Sequence, residues 1–148
     1  MGKPECNEIV SKFIKKLEQI GQYTIKLDSR KPQIYIIDGK KINIRCTTMP
    51  KLWYSVDLDV LPIVNCTIYL TSSPLKNPNY FLMFPSKSLK EIITFNEMYE
   101  SEHSNQTLKH FEIDWDGCVL VLKNGLLDVM KYAYDLDKPE SYPNFKKC

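Results

Sequence analysis

Apolar residues recur at Ile9, Val10, Phe13, Ile14, Leu17 and Ile20. Their three- and four-residue spacing predicts an amphipathic helix over residues 7–20, with Lys12, Lys15, Lys16 and Glu18 toward water. Asn7 suits its N-cap, and Gly21 suits the left-handed residue beyond its end. The period then shortens to two over residues 22–27, which predicts a strand closed by the turn-rich Asp28-Ser29-Arg30-Lys31-Pro32. Next, β-branched runs over residues 32–46 flank Asp38-Gly39, a pair that favours the positive φ angles of a tight hairpin.

Thr47 to Lys51 breaks the pattern, and residues 52–56 form a short aromatic strand before Asp57-Leu58-Asp59. Residues 67–71 and 80–84 are predicted strands separated by an exposed loop, the second apolar enough to be covered on both faces. Ser88 and Glu91 have the spacing of a capping box for a helix carrying Leu89, Ile92, Ile93 and Phe95, which should fade by Ser101. After a polar loop, residues 110–115 and 118–122 flank a second Asp-Gly pair, Asp116-Gly117, and predict another hairpin. A last helix is expected over 126–136, bearing Leu127, Met130 and Tyr134 and stopped by Pro139, with a frayed tail beyond it. This order predicts a mixed α/β (α+β) fold, in which a central mixed sheet of about five to seven strands is flanked by helices.

With 148 residues, 43% of them hydrophobic, and no repeat or linker, the chain reads as a single domain spanning residues 1–148. Twenty basic against eighteen acidic residues give a formal charge of +2, so attraction for a polyanion must come from a local patch. Basic residues concentrate in the first third of the chain, where Lys12, Lys16, Arg30, Lys31, Lys40, Lys41 and Arg45 are the candidate nucleic-acid contacts. The five scattered cysteines show neither zinc spacing nor a disulfide framework and read as reduced, mostly buried thiols. No apolar leader or run of roughly 18 apolar residues is present, so a cytoplasmic protein with no membrane partner is expected.

Other chemistry is sparse. His103 and His110 offer no triad geometry, and the glycines are spread singly rather than gathered into a phosphate loop. Trp53, Tyr54, Trp115, Tyr132 and Tyr134 are candidates for base stacking or a partner surface, with core packing as the alternative.

The opening helix with its early glutamate, the Gly, the strand, the Pro-led strand, the turn and the further strand resemble the start of the PD-(D/E)-x-K nuclease superfamily. That group includes Holliday-junction resolvases and many restriction endonucleases. The resemblance continues more loosely through residues 67–89. It implies a restriction-endonuclease-like fold in which a helix glutamate, an Asp after Pro and a Glu-x-Lys converge at one sheet edge. Here those positions fall on Glu8 (with Glu5 as the neighbouring option), on Gln33 after Pro32, and on Asn43-Ile44-Arg45.

Only Glu8 keeps the family's chemistry. Amides at Gln33 and Asn43 bring no negative charge to Mg²⁺, and the Arg45 guanidinium steadies a phosphate but stays protonated. The resemblance therefore implies a DNA-binding or assembly module with a degenerate active site and no resident metal or cofactor. An Mg²⁺-dependent endonuclease with carboxylates relocated to Asp28, Asp38, Asp57 or Asp59 is the alternative. A third reading is a homodimer formed through Trp53 and Tyr54 or through the second hairpin.

Overall fold

The computed structural model describes residues 2–47, 53–71, 80–100 and 107–148, with side chains from Cys6 onward. Helix α1 (Gly2–Ile20) begins earlier than its apolar pattern, so Asn7 lies inside it rather than capping it. Its buried stripe is Val10, Phe13, Ile14 and Leu17. Gly21, at φ 75°, ends it, and the Gly21 N–H donates to the Glu18 carbonyl at 3.1 Å.

Three antiparallel strands follow: β1 (Ile25–Arg30), β2 (Gln33–Ile37) and β3 (Lys40–Thr47). Asp38 and Gly39 take φ values of 51° and 82°, which gives the tight turn their sequence favours. Strand β1 takes in Asp28, Ser29 and Arg30 instead of turning there. Its register against β2 slips between Leu27 and Ser29, so Asp28 is the extra residue of a bulge.

Strand β4 (Trp53–Asp57) and a short 3-10 turn at Leu61–Ile63 lead to β5 (Cys66–Thr71), which runs parallel to β3. Strand β6 (Tyr80–Pro85) returns antiparallel to β5, and Tyr80 through Phe84 are buried throughout. Helix α2 (Ser86–Phe95) starts two residues before Ser88 and has no side-chain cap, so the capping box is not formed. The Ser86 hydroxyl donates to the Val64 carbonyl instead, at 2.6 Å.

Strands β7 (Tyr99–Glu100), β8 (Leu108–Asp114), β9 (Val119–Leu122) and β10 (Gly125–Asp128) complete the second half with β4, and β11 (Ala133–Asp135) crosses back to the edge of β6. The β8–β9 hairpin closes over four residues, 115–118. The Asp114 carboxylate accepts the Asp116 and Gly117 N–H groups, and Cys118 takes a positive φ of 54°. No α-helix forms over 126–136; β10, a 3-10 turn at Met130–Tyr132 and β11 occupy it. Leu127 and Val129 turn inward while Leu126, Asp128 and Met130 face water, a period of two that suits a strand.

The result is a six-stranded mixed sheet, ordered β1-β2-β3-β5-β6-β11, and a second, antiparallel sheet ordered β10-β9-β8-β4. A mixed α/β fold is present, but a sheet rather than helices alone covers one face of the first sheet. Helix α1 packs on Ile42, Ile44, Ile68 and Phe81, whereas Tyr69, Leu82 and Phe84 face Tyr54, Phe111, Ile113 and α2. The tail is not frayed: Tyr142 and Phe145 are buried against the α1 side, and Cys148 is disulfide-bonded to Cys66. This one pair departs from the expected reduced thiols, whereas Cys6, Cys46 and Cys118 are not in disulfides. Among the described residues no helix is long and apolar enough to cross a membrane.

Candidate functional site

The first sheet's meander brings the β1–β2 turn beside the outgoing end of β3. Ile34 lies opposite Asn43, which brings Gln33 beside Ile44, the residue before Arg45. There a groove of about 440 Å³ opens, lined by Arg30, Lys31, Pro32 and Gln33 from the turn and by Ile44, Arg45 and Cys46 from β3. Cys6 and Val10 of α1, Asp57 of β4 and Leu108 of β8 close its other sides. Three cationic side chains and one carboxylate line this space. Such a balance suits an anion, and the planar guanidinium of Arg45 suits a phosphate in particular.

Arg45 is held in place by the second sheet. Its Nη2 donates to the Ser55 hydroxyl at 2.5 Å, and Ser55 is 8% exposed. Tyr69, the residue beside Arg45 on β5, donates its hydroxyl to the Ser55 carbonyl at 3.2 Å. Burial pushes the Tyr69 phenol up, against the opposing pull of the Arg45 charge. A fixed guanidinium loses less side-chain entropy on binding than a free one.

The four family-matched positions do not all meet. Gln33 and Arg45 share the groove. Glu8 is exposed on α1, two residues from both Cys6 and Val10 and so about 200° around the helix from each groove-lining position. Glu5 falls among residues whose side chains are not described. Asn43 is 3% exposed and sits within the first sheet beside buried Thr67, its Oδ1 without a hydrogen-bond partner.

The candidate basic residues are also dispersed. Arg30, Lys31 and Arg45 are at the groove. Lys40 and Lys41 lie at the opposite end of β3, about 17 Å and about 13 Å from Arg45 at the usual strand rise. Lys41 is 3.9 Å from the Asp28 carboxylate. Lys12 and Lys16 flank a separate cavity of about 200 Å³, and the Lys16 ammonium donates to the Leu136 carbonyl at 3.2 Å.

Of the alternative carboxylates, Asp38 accepts the Thr24 N–H within its turn, and Asp59 is exposed. Asp57 lines the groove while accepting the Asp59 N–H at 2.9 Å. Among the described residues no group of three His, Cys, Asp or Glu side chains is arranged to hold a metal. His110 is half-buried on β8 opposite Ser55, and His103 lies outside the described residues. Tyr54 and Trp115 are core residues, and Tyr132 and Tyr134 pack on Phe84 and Phe81. Trp53 alone among these candidates is exposed, at 45%.

Sequence reasoning missed Ser55, whose only signal was a polar residue inside the apolar run Trp53-Tyr54-Ser55-Val56. A larger cavity of about 600 Å³, mostly apolar, lies between Leu61, Val64 and α2 and contains none of the predicted positions. Its chemistry is less specific than that of the groove. A scan against protein-family models and searches of curated proteins and of solved structures return no match to this chain.

Proposed function

We propose that this chain is a nuclease-like, restriction-endonuclease-like domain that binds nucleic acid through its phosphates and does not cleave it. The single observation that carries the reading is the groove itself. Gln33 and Arg45, two positions matched to the family's catalytic residues, line one space together with Arg30 and Lys31. An amide and three cations fit a phosphodiester, and this set lacks the paired carboxylates that hold Mg²⁺. An anisotropy titration with labelled duplex and branched DNA at low and moderate salt tests it. Salt-sensitive binding is expected, and absence of such binding to either DNA rejects the proposal.

A second reading has one observation in its favour. Asp57 contributes a carboxylate to the same groove, so an Mg²⁺-dependent endonuclease would use Asp57 as a relocated ligand. Incubating the protein with plasmid and Mg²⁺ or Mn²⁺ separates the two readings. Cleavage that disappears in Asp57→Asn favours the enzyme; intact plasmid alongside salt-sensitive binding favours the non-cleaving module.

A further inference from the structure

We propose that Trp53, exposed on the second sheet beside the groove, is a base-stacking platform, so that the groove takes single-stranded nucleic acid in preference to duplex. The inference rests on the phosphate-binding reading of the groove and adds the form of the ligand. Alternate residues of a strand share a face, so Trp53, Ser55 and Asp57 form one row along β4. Asp57 opens into the groove, Ser55 is gripped by Arg45, and Trp53 stands about 13 Å further along at the usual strand rise.

Trp53 is built as a fixed surface ring. Tyr99 meets it edge-on, with centroids 5.1 Å apart and planes at 89°, which limits its rotation while it remains 45% exposed. A ring already ordered in the free protein costs little further entropy when a base lies against it. Charge along the row sets direction. Glu112 faces Trp53 across the β4–β8 pair. A carboxylate at this end disfavours phosphates, whereas Arg30, Lys31 and Arg45 attract them at the other. The backbone of a bound strand thus belongs in the groove, and an adjacent base belongs on Trp53. Bases paired inside a duplex cannot present their faces to a flat ring without being unstacked, but those of a single strand can.

The test uses the full chain with an oligothymidylate and with a duplex of equal length. The single strand is expected to bind more tightly and to quench the exposed Trp53, while Trp115, 3% exposed, keeps its emission. Trp53→Leu should weaken single-strand binding roughly 5- to 150-fold, the range expected for one lost base stack, and leave duplex binding unchanged. Trp53→Tyr should recover much of that loss. Single-strand affinity unchanged in Trp53→Leu, while Arg45→Gln still weakens both forms, overturns the platform and leaves the groove standing. Failure of the unaltered protein to bind either oligonucleotide overturns both.

Discussion

The Arg45 guanidinium, on the first sheet, donates to the Ser55 hydroxyl, on the second, at 2.5 Å. This bond crosses the seam at which the groove opens, and Tyr69 reinforces it by donating to the carbonyl of the same serine. Hydrogen bonds to charged groups contribute about 1.5–3 kcal/mol when buried, and less where water reaches them, as it does at half-buried Arg45. Ser55→Ala should therefore lower stability by about 1–2 kcal/mol and free the Arg45 side chain. Urea unfolding measures the first effect; an unchanged midpoint would show that the seam does not depend on this contact.

The C-terminal segment is part of the core. Phe145 has no exposed surface and meets Tyr23 edge-on at 5.3 Å. Phe145→Ala is expected to cost about 3–5 kcal/mol, whereas Lys147→Ala, at the surface, should stay within about 0.5 kcal/mol. The Cys66–Cys148 disulfide spans 82 residues, so its loss in Cys148→Ser should cost up to about 4 kcal/mol through added freedom of the unfolded chain. A peptide map without reductant should recover the two cysteines joined. Separate peptides, with an unaltered unfolding midpoint in Cys148→Ser, would contradict the assignment.

Local signals in the sequence were strongest where one rule acted alone. The Asp38-Gly39 hairpin, the α1 stripe and Gly21 at its end are where their residues predict, because backbone conformation and helical period are local properties. The helix expected over 126–136 failed because Leu126-Leu127 fits either period, and only the pairing with β9 selects the strand. The tail failed for a similar reason. Its Pro and Lys content resembles that of a free end, yet Tyr142 and Phe145 cover a face of the first sheet whose exposure no local pattern reveals. At the groove, Gln33 and Arg45 were singled out through the family resemblance alone, and both line the same space. Ser55 was not, because its role comes from a sheet that is adjacent only in space.

Buried tyrosines make the fold sensitive to alkali. Burial raises the Tyr54 phenol to about 12, and burial together with Asp137 raises Tyr142 to about 12. Each folded value exceeds that of an unfolded tyrosine, near 10, so the unfolded chain loses these protons first. The stability these residues contribute is complete below about pH 10 and is lost as pH rises toward 12. Thermal midpoints should fall over this window, with tyrosinate absorbance from the buried rings appearing only on unfolding. A flat midpoint from pH 9 to 11.5 would contradict the burial of both rings.

Asn43 fills a site that excludes charge. Asn43→Asp puts a carboxyl where 3% of the residue is exposed, so its folded pKa should rise above the unfolded value near 4. The variant's penalty relative to the parent should therefore be smallest at about pH 4 and grow as pH increases through the folded pKa. Calorimetry across that range checks the sign. An equal penalty at all pH values, or rescue of the variant by Mg²⁺ at neutral pH, would place Asn43 in a polar, metal-accessible site instead.

The most direct measurement compares the groove with the far end of β3. Arg45→Gln and Arg30→Gln remove charge from the groove, while Lys40→Gln removes equal charge at the far end of β3. DNA affinity is measured for each against salt concentration. The expected result is weaker binding and a salt slope reduced by about one for each groove variant, with Lys40→Gln matching the parent. Equal losses at both ends, or none at the groove, would contradict the assignment of phosphate binding to the space between Gln33 and Arg45.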